Sequence, residues 1–197
     1  DWDLLPLPEG SFTVGIDGGY VRNWGDKKHK FEVIVGKSIL SLAEGEQNTM
    51  TLLKRFGFVQ TQDTKPKRRL YEVLHSQGLQ MNQKITFLSD GDDKLRELQV
   101  EMSPQATHIL DWFHLSMKLT GLGRYGKGLV PCNPVLGQEI CDQIERLKWS
   151  LWHGQVDKAL SKLNDLESSI EPFNETYARF PQLIKALATL RTYIVHN

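Results

Sequence analysis

Two acidic residues stand where a carboxylate can do chemistry. Asp17 ends the run Phe12-Thr-Val-Gly-Ile-Asp17 and is followed by Gly18 and Gly19; Asp90 ends Lys84-Ile-Thr-Phe-Leu-Ser-Asp90 and is followed by Gly91, Asp92 and Asp93. In the first run Val14 and Ile16 alternate with Gly15 and Asp17. A strand here packs one face into a core and presents the acid on the other, beside a glycine with no side chain. Two carboxylates delivered from the ends of two neighbouring strands repel each other unless a cation neutralises them, and as hard oxygen donors they suit Mg²⁺ or Mn²⁺. Two such ions on a carboxylate platform activate a water or a 3′-hydroxyl and stabilise the leaving oxygen in an in-line displacement at phosphate. Asp17 and Asp90 are therefore the candidate catalytic and metal-binding residues. Taken singly, an acid at a strand end is ordinarily a helix cap or a turn former, so the pairing carries the reading.

Other side chains are candidates of a second rank. His114, three residues after Asp111, could orient that acid or meet a phosphate; the plain alternative is a histidine at a core edge bonded to backbone. Lys27, Lys28 and Lys30 form one basic cluster and Arg68 and Arg69, within Lys65-Pro-Lys-Arg-Arg69, another. Both are candidate DNA contacts, although each alone reads as an ordinary solvated loop or helix start. Trp149 and Trp152 could stack on a flipped base, but they lie three apart on one helical face and core packing is the preferred reading. Glu32 could be an accessory acid, and a strand's solvent face explains it better. Cys132 and Cys141 have no Cys or His companions at zinc-finger spacing and read as free thiols.

The 24 basic and 24 acidic side chains cancel, so the whole chain is no generic polyanion binder and any such work falls to local patches. With 40% hydrophobic residues, 197 residues bury a real core and make one domain or one and a half. No apolar run approaches the roughly 20 residues of a membrane span, and no secretion signal is visible, which points to the cytoplasm.

The elements that must position the acids follow from local pattern. Residues 1–11 read as an extended lead-in containing Pro6 and Pro8. A strand to Arg22, a polar turn at Asn23–Lys28 and a β-branched run from Lys30 to Leu40 predict an antiparallel hairpin. Arg55–Gln60 is a third strand, preceded by a helical Thr49–Leu53. Pro66 opens a helix carrying Leu70, Val73 and Leu74 that stops near Gly78; Asp92 and Asp93 cap a second helix carrying Leu95, Leu98 and Met102. Thr107–Asp111 is a fifth strand running into a helix over Trp112–Leu119. Residues 12–120 thus form the sheet domain, and Gly121, Gly123, Gly126, Gly128, Pro131 and Pro134 make 121–135 a linker. Beyond it, apolar residues at helical spacing (Ile140, Ile144, Leu147; Leu160, Leu163; Leu183, Leu187, Leu190) predict an all-helical unit of three helices over 136–197.

An α/β mixed sheet with flanking helices, acids at the ends of strands one and four, is what a ribonuclease H-like fold requires, because its strands one and four are neighbours. Val14-Gly-Ile-Asp-Gly-Gly-Tyr-Val-Arg22, Phe31-Glu-Val-Ile-Val-Gly-Lys37, Phe87-Leu-Ser-Asp-Gly91, Leu110-Asp-Trp-Phe-His-Leu-Ser-Met-Lys118 and Leu147-Lys-Trp-Ser-Leu-Trp-His-Gly154 together resemble the catalytic region of Kra-type bacterial insertion-sequence transposases. The resemblance spans nearly the whole chain. It implies a DDE transposase with a ribonuclease H-like core, Mg²⁺ or Mn²⁺ as cofactor, and metal-dependent cleavage and transfer of DNA at transposon ends. It also implies transposon-end and target DNA as partners, self-association in the active complex, and a place at the bacterial nucleoid.

By the same resemblance Asp17 and Asp90 are the first two acids of the triad. Asp111-Trp-Phe-His114 is similar to the Asp/Cys-x-x-His signature of mutator-like and hAT-like transposases, and the helical unit matches the insertion those groups carry before the final acid. That acid is a Glu on a helix returning to the sheet, expected downstream of Asn197, with an end-binding region before Asp1. Glu145, Glu167, Glu171 and Glu175 fall in or between the insertion helices, where a solvated helix face is the ordinary reading. Two alternatives belong to other classes. One is a non-catalytic DNA- or protein-binding remnant of a transposase. The other is an actin-like or sugar-kinase-type ATP-binding domain, suggested by Gly15-Ile-Asp-Gly-Gly19 but with Tyr20 where such loops carry Thr or Ser.

Overall fold

The computed structural model describes residues 6, 8, 10–44, 48–59, 65–173 and 175–197, so most of the expected lead-in and Gln60, at the end of the expected third strand, lie outside the described residues. The chain divides into two compact units, Asp1–Asp111 and Trp112–Asn197.

The first unit is built on strands β1 (Ser11–Arg22), β2 (Lys30–Glu44), β3 (Asn48–Val59), β4 (Ile85–Ser89) and β5 (Thr107–Leu110), with α1 (Pro66–His75) and α2 (Asp93–Met102) between them. They form a five-stranded mixed sheet in the order β3-β2-β1-β4-β5. β1, β2 and β3 are antiparallel neighbours, while β4 runs parallel to β1 and β5 parallel to β4. Strict alternation sends Phe12, Val14 and Ile16 of β1 to one face, where they meet Ile34, Ile85 and Phe87 under Leu70 and Leu74 of α1 and Leu95 and Leu98 of α2. Each such side chain, taken out of water, stabilises by about 1.5–3 kcal/mol. Thr49–Leu53, expected as helix, is strand. β2 runs on to Glu44, and the pairing Glu44↔Asn48 through Ile39↔Leu53 gives this segment a ladder that local propensity did not show.

The second unit contains α3 (Trp112–Leu129), α4 (Pro134–Trp152), α5 (Val156–Ile170), a short 3-10 turn (Glu171–Phe173) and α6 (Phe180–His196). Its buried core includes Leu119, Leu122, Ile140, Leu147, Leu163, Leu166, Leu183 and Leu187, and it holds no strand among the described residues. The linker expected at 121–135 is not one. α3 passes through Gly121, Gly123, Gly126 and Gly128, and the division between units falls at Asp111, so the helical unit has four helices and not three. Packing explains this. A Cβ on Gly126 would stand 2.8 Å from Cys141 Sγ, and one on Gly137 would stand 2.7 Å from the backbone nitrogen of Val130. Glycine lets α3 and α4 touch, and the contact outweighs its roughly 1 kcal/mol of poor helix propensity. Asn133 then caps α4, its side chain accepting from the Leu136 N–H at 3.1 Å, with Pro134 in the first turn. Among the described residues no helix is long and apolar enough to cross a membrane.

Candidate functional site

The parallel pair β1/β4 sets the acids. Its register runs Phe12↔Ile85, Thr13↔Thr86, Val14↔Phe87 and Gly15↔Leu88, where the pairing ends. Two residues further along each strand, the same register brings Asp17 level with Asp90. β1 continues past this point against β2 alone, with Asp17 opposite Val35. Asp17 shares its face with Gly15 and Gly19, opposite to the face that α1 and α2 cover. A Cβ on Gly19 would meet nothing within 4 Å, and one on Gly15 only the Lys37 carbonyl at 3.9 Å. The Asp17 carboxylate therefore rises from a bare stretch of backbone, exposed to solvent.

Asp90 is held differently. Its Oδ1 accepts from the Asp92 N–H at 3.1 Å, and Gly91 between them takes φ +75°, a left-handed conformation that glycine adopts without strain. Asp92 then accepts from the N–H groups of Lys94 (3.0 Å) and Leu95 (3.4 Å) as the cap of α2. Strand end, turn and helix cap thus occupy four consecutive residues, and a helix anchored in the core fixes the second acid. Ser89, immediately before it, is buried; its Oγ accepts from Gln99 Nε2 at 2.9 Å and lies 2.9 Å from His108 Nε2. Sequence reasoning passed over this network. The signal was there: Ser89 continues the buried phase of Ile85 and Phe87, where a polar residue needs partners.

Among the described residues of the sheet unit, Asp17 and Asp90 could hold a metal ion: the two carboxylates offer oxygen atoms within 4.8 Å of one another. Oxygens sharing one octahedral ion at about 2.1 Å stand about 3–4 Å apart, so a side-chain rotation closes the gap. The donors are hard, the acids stand at the same end of two central parallel strands, and Asp17 makes no hydrogen bond or ion pair among the described residues. This donor set fits a divalent cation of the Mg²⁺ or Mn²⁺ type. Asp111 is half-buried, and its N–H donates to the Ser89 carbonyl at 2.8 Å, which ties the chain leaving β5 to the residue before Asp90. His114 follows in the first turn of α3 and is half-buried.

Glu32 is not on a solvent face. It is 5% exposed, on the core side of β2 with Ile34, and forms an ion pair with Lys94 at 2.8 Å and a 3.5 Å hydrogen bond from the Tyr20 hydroxyl. Lys94 also donates to the Tyr20 hydroxyl at 3.3 Å, and its hydrogen bonds to Glu32 first and Tyr20 second hold the ammonium above its usual pKa. The pair ties β2 to the start of α2; it is a structural acid, legible only once Lys94 is brought to it.

The basic candidates are separately placed. Lys27, Lys28 and Lys30 are exposed at the β1–β2 turn, where Asp26 accepts from the Lys28 N–H at 3.0 Å and pairs with His29 at 2.6 Å. Arg68 is ion-paired to Glu72 at 2.8 Å on α1, and Arg69 is exposed beside it. Trp149 and Trp152 do not pack in the core: they are 50% and 55% exposed, because the buried stripe of α4 runs through Ile140, Ile144 and Leu147 and both indoles lie off it. Trp149 stacks on His153, and Trp152 meets Trp112 edge-on at 4.9 Å. Glu145 pairs with Lys148 and Glu167 with Arg191, while Glu171 and Glu175 are exposed. Both cysteines are free, and burial pushes the Cys141 thiol up. No protein-family model matches the chain, and no curated protein is found similar to it.

Proposed function

We propose that the chain is the catalytic region of a DDE-type transposase of the Kra-type insertion-sequence class: a ribonuclease H-like sheet unit followed by a helical insertion, acting on transposon-end and target DNA. The observation that carries this reading is the placing of Asp17 level with Asp90 on parallel neighbours β1 and β4, in a sheet of order β3-β2-β1-β4-β5. In that reading Asp17 and Asp90 hold Mg²⁺ or Mn²⁺, with Asp111 and His114 as accessory groups. A divalent ion bound there supplies Lewis-acid activation of a water or 3′-hydroxyl and neutralises charge on the scissile phosphate. The chain's own part is to fix the two carboxylates: one on an unencumbered strand, the other between a strand end and a helix cap. The resemblance implies a Glu as third acid; Glu145 and Glu167 are each engaged in an ion pair within the helical unit, and neither is given that role in this reading.

The test is a Mn²⁺ titration of residues 1–197 followed by calorimetry and by paramagnetic broadening of amide signals. Weak binding centred on residues 15–19 and 88–92 is expected, and it is expected to be lost in Asp17→Asn and in Asp90→Asn; binding unchanged in both variants would remove the assignment. In Mn²⁺ the same chain is expected not to cut end-containing DNA at an appreciable rate, and Asp17-dependent cutting by residues 1–197 would place the third acid inside them.

A further inference from the structure

The helical unit carries a second feature that the carboxylate pair leaves unused. α3 and α6 run antiparallel: Lys118 Nζ lies 4.3 Å from the centre of the Tyr193 ring towards one end, and a Cβ on Gly128 would stand 3.4 Å from Arg179 Nη1 towards the other. Between the two helices lies an open cleft of about 910 Å³. Its walls hold Lys118 and Arg124 from α3, Lys185 from α6 and Arg179 from the cap position just before α6, with Tyr125 and Gln182 among them, and no carboxylate. All four cations are exposed, and none forms an ion pair among the described residues.

In a chain of zero formal charge, four cations with no carboxylate among the lining residues make the cleft a local patch of positive charge. Six residues separate the cations on each wall, about 9 Å of rise at 1.5 Å per residue and about 120° around the axis at 3.6 residues per turn, so the charges are spaced along the cleft and stand on both sides of it. Small and apolar residues form the floor, Gly121 among them, where an added Cβ would meet nothing within 4 Å. A groove with cations on its rims and an aromatic ring on an apolar floor suits a strand whose phosphates run along the charges while a base lies against the ring. Its volume admits a few nucleotides and not a duplex.

We infer that the α3/α6 cleft binds a short single-stranded segment of nucleic acid, its phosphates on Lys118, Arg124, Arg179 and Lys185 and a base against Tyr125. The cleft stands on its own geometry; only the choice of a nucleic acid among polyanions rests on the transposase reading. Binding here needs no metal, which separates it from the Asp17–Asp90 pair.

The experiment is fluorescence anisotropy of a labelled oligothymidine against residues 1–197 in chelator, over a range of salt. Arg124→Gln with Lys185→Gln is expected to weaken binding tenfold or more and to lower the slope of log K against log salt by about 1.4, at about 0.7 per lost phosphate contact. Lys118→Gln with Arg179→Gln, an independent pair, is expected to do the same. Lys158→Gln, an exposed charge on α5, is expected to change neither. Circular dichroism melts establish that each variant is folded. Wild-type affinity and slope in both double variants would overturn the proposal. So would equal competition by duplex, by inorganic polyphosphate or by polyglutamate, which would point respectively to a duplex surface, a general anion patch or an acidic protein partner. Because chelator is present, failure here leaves the Mn²⁺ titration untouched, and failure of that titration leaves this result standing.

Discussion

Two glycine-rich segments, 15–19 in the sheet unit and 121–128 in the helical unit, use the same residue for opposite ends. At Gly19 an added Cβ would meet nothing within 4 Å, and at Gly15 its nearest neighbour is a carbonyl at 3.9 Å. Glycine there removes side chains from around Asp17 and leaves backbone open to whatever the acid binds. In α3 the buried member of the series is Gly126, where an added Cβ would meet Cys141 Sγ at 2.8 Å, and Gly137 of α4 answers it against Val130. Glycine there removes side chains so that two helices can close. Composition alone cannot tell a ledge from a seam; the difference lies in what stands opposite.

Buried polarity divides the units in the same way. Glu32, Ser38, Gln83, Ser89 and Gln99 are buried in the sheet unit, whereas the helical unit buries Ser150, whose hydroxyl donates to the Arg146 carbonyl of its own helix. The sheet unit spends buried hydrogen bonds on holding the strand end that carries Asp90. The helical unit is held by leucine and isoleucine packing.

Three substitutions break or sharpen this contrast. Gly137→Ala drives a methyl group against the Val130 backbone, which cannot swing aside as a side chain would, and is expected to destabilise by about 1–3 kcal/mol in urea denaturation. Mn²⁺ binding by Asp17 and Asp90 is expected to stay as in wild type. Gly91→Ala forces a left-handed φ on an L residue and is expected to cost about 1–2 kcal/mol. It is also expected to weaken Mn²⁺ binding, because the turn that places Asp90 shifts; a stability loss with unchanged binding would detach the turn from the site. Gly19→Ala is expected to be neutral or stabilising by up to about 0.5–1 kcal/mol, since it fills open space and lowers the entropy of the unfolded chain. A clear loss of stability at Gly19, or none at Gly137, would reverse the roles given to the two segments.

What the sequence by itself determined is what local chemistry controls. The alternation of Phe12, Val14 and Ile16, the cap at Asp92, the proline starts at Pro66 and Pro134, and the stripes of α4, α5 and α6 all depend on neighbours within one turn or one pleat. So does the presence of an acid after each of two buried runs. Tertiary structure alone decided what depends on partners far along the chain. The register Gly15↔Leu88 joins residues 73 apart and sets the two acids side by side. Lys94, 62 residues from Glu32, turns an expected surface acid into a buried tie. β2 turns Thr49–Leu53 into strand, and α4, packed against Gly126, holds a glycine-bearing segment as helix. Trp149 and Trp152 lie outside because the neighbouring stripe filled the core first. Propensity is worth tenths of a kcal/mol per residue, and a packed contact or a paired edge is worth more, so where the two disagreed the distant partner prevailed.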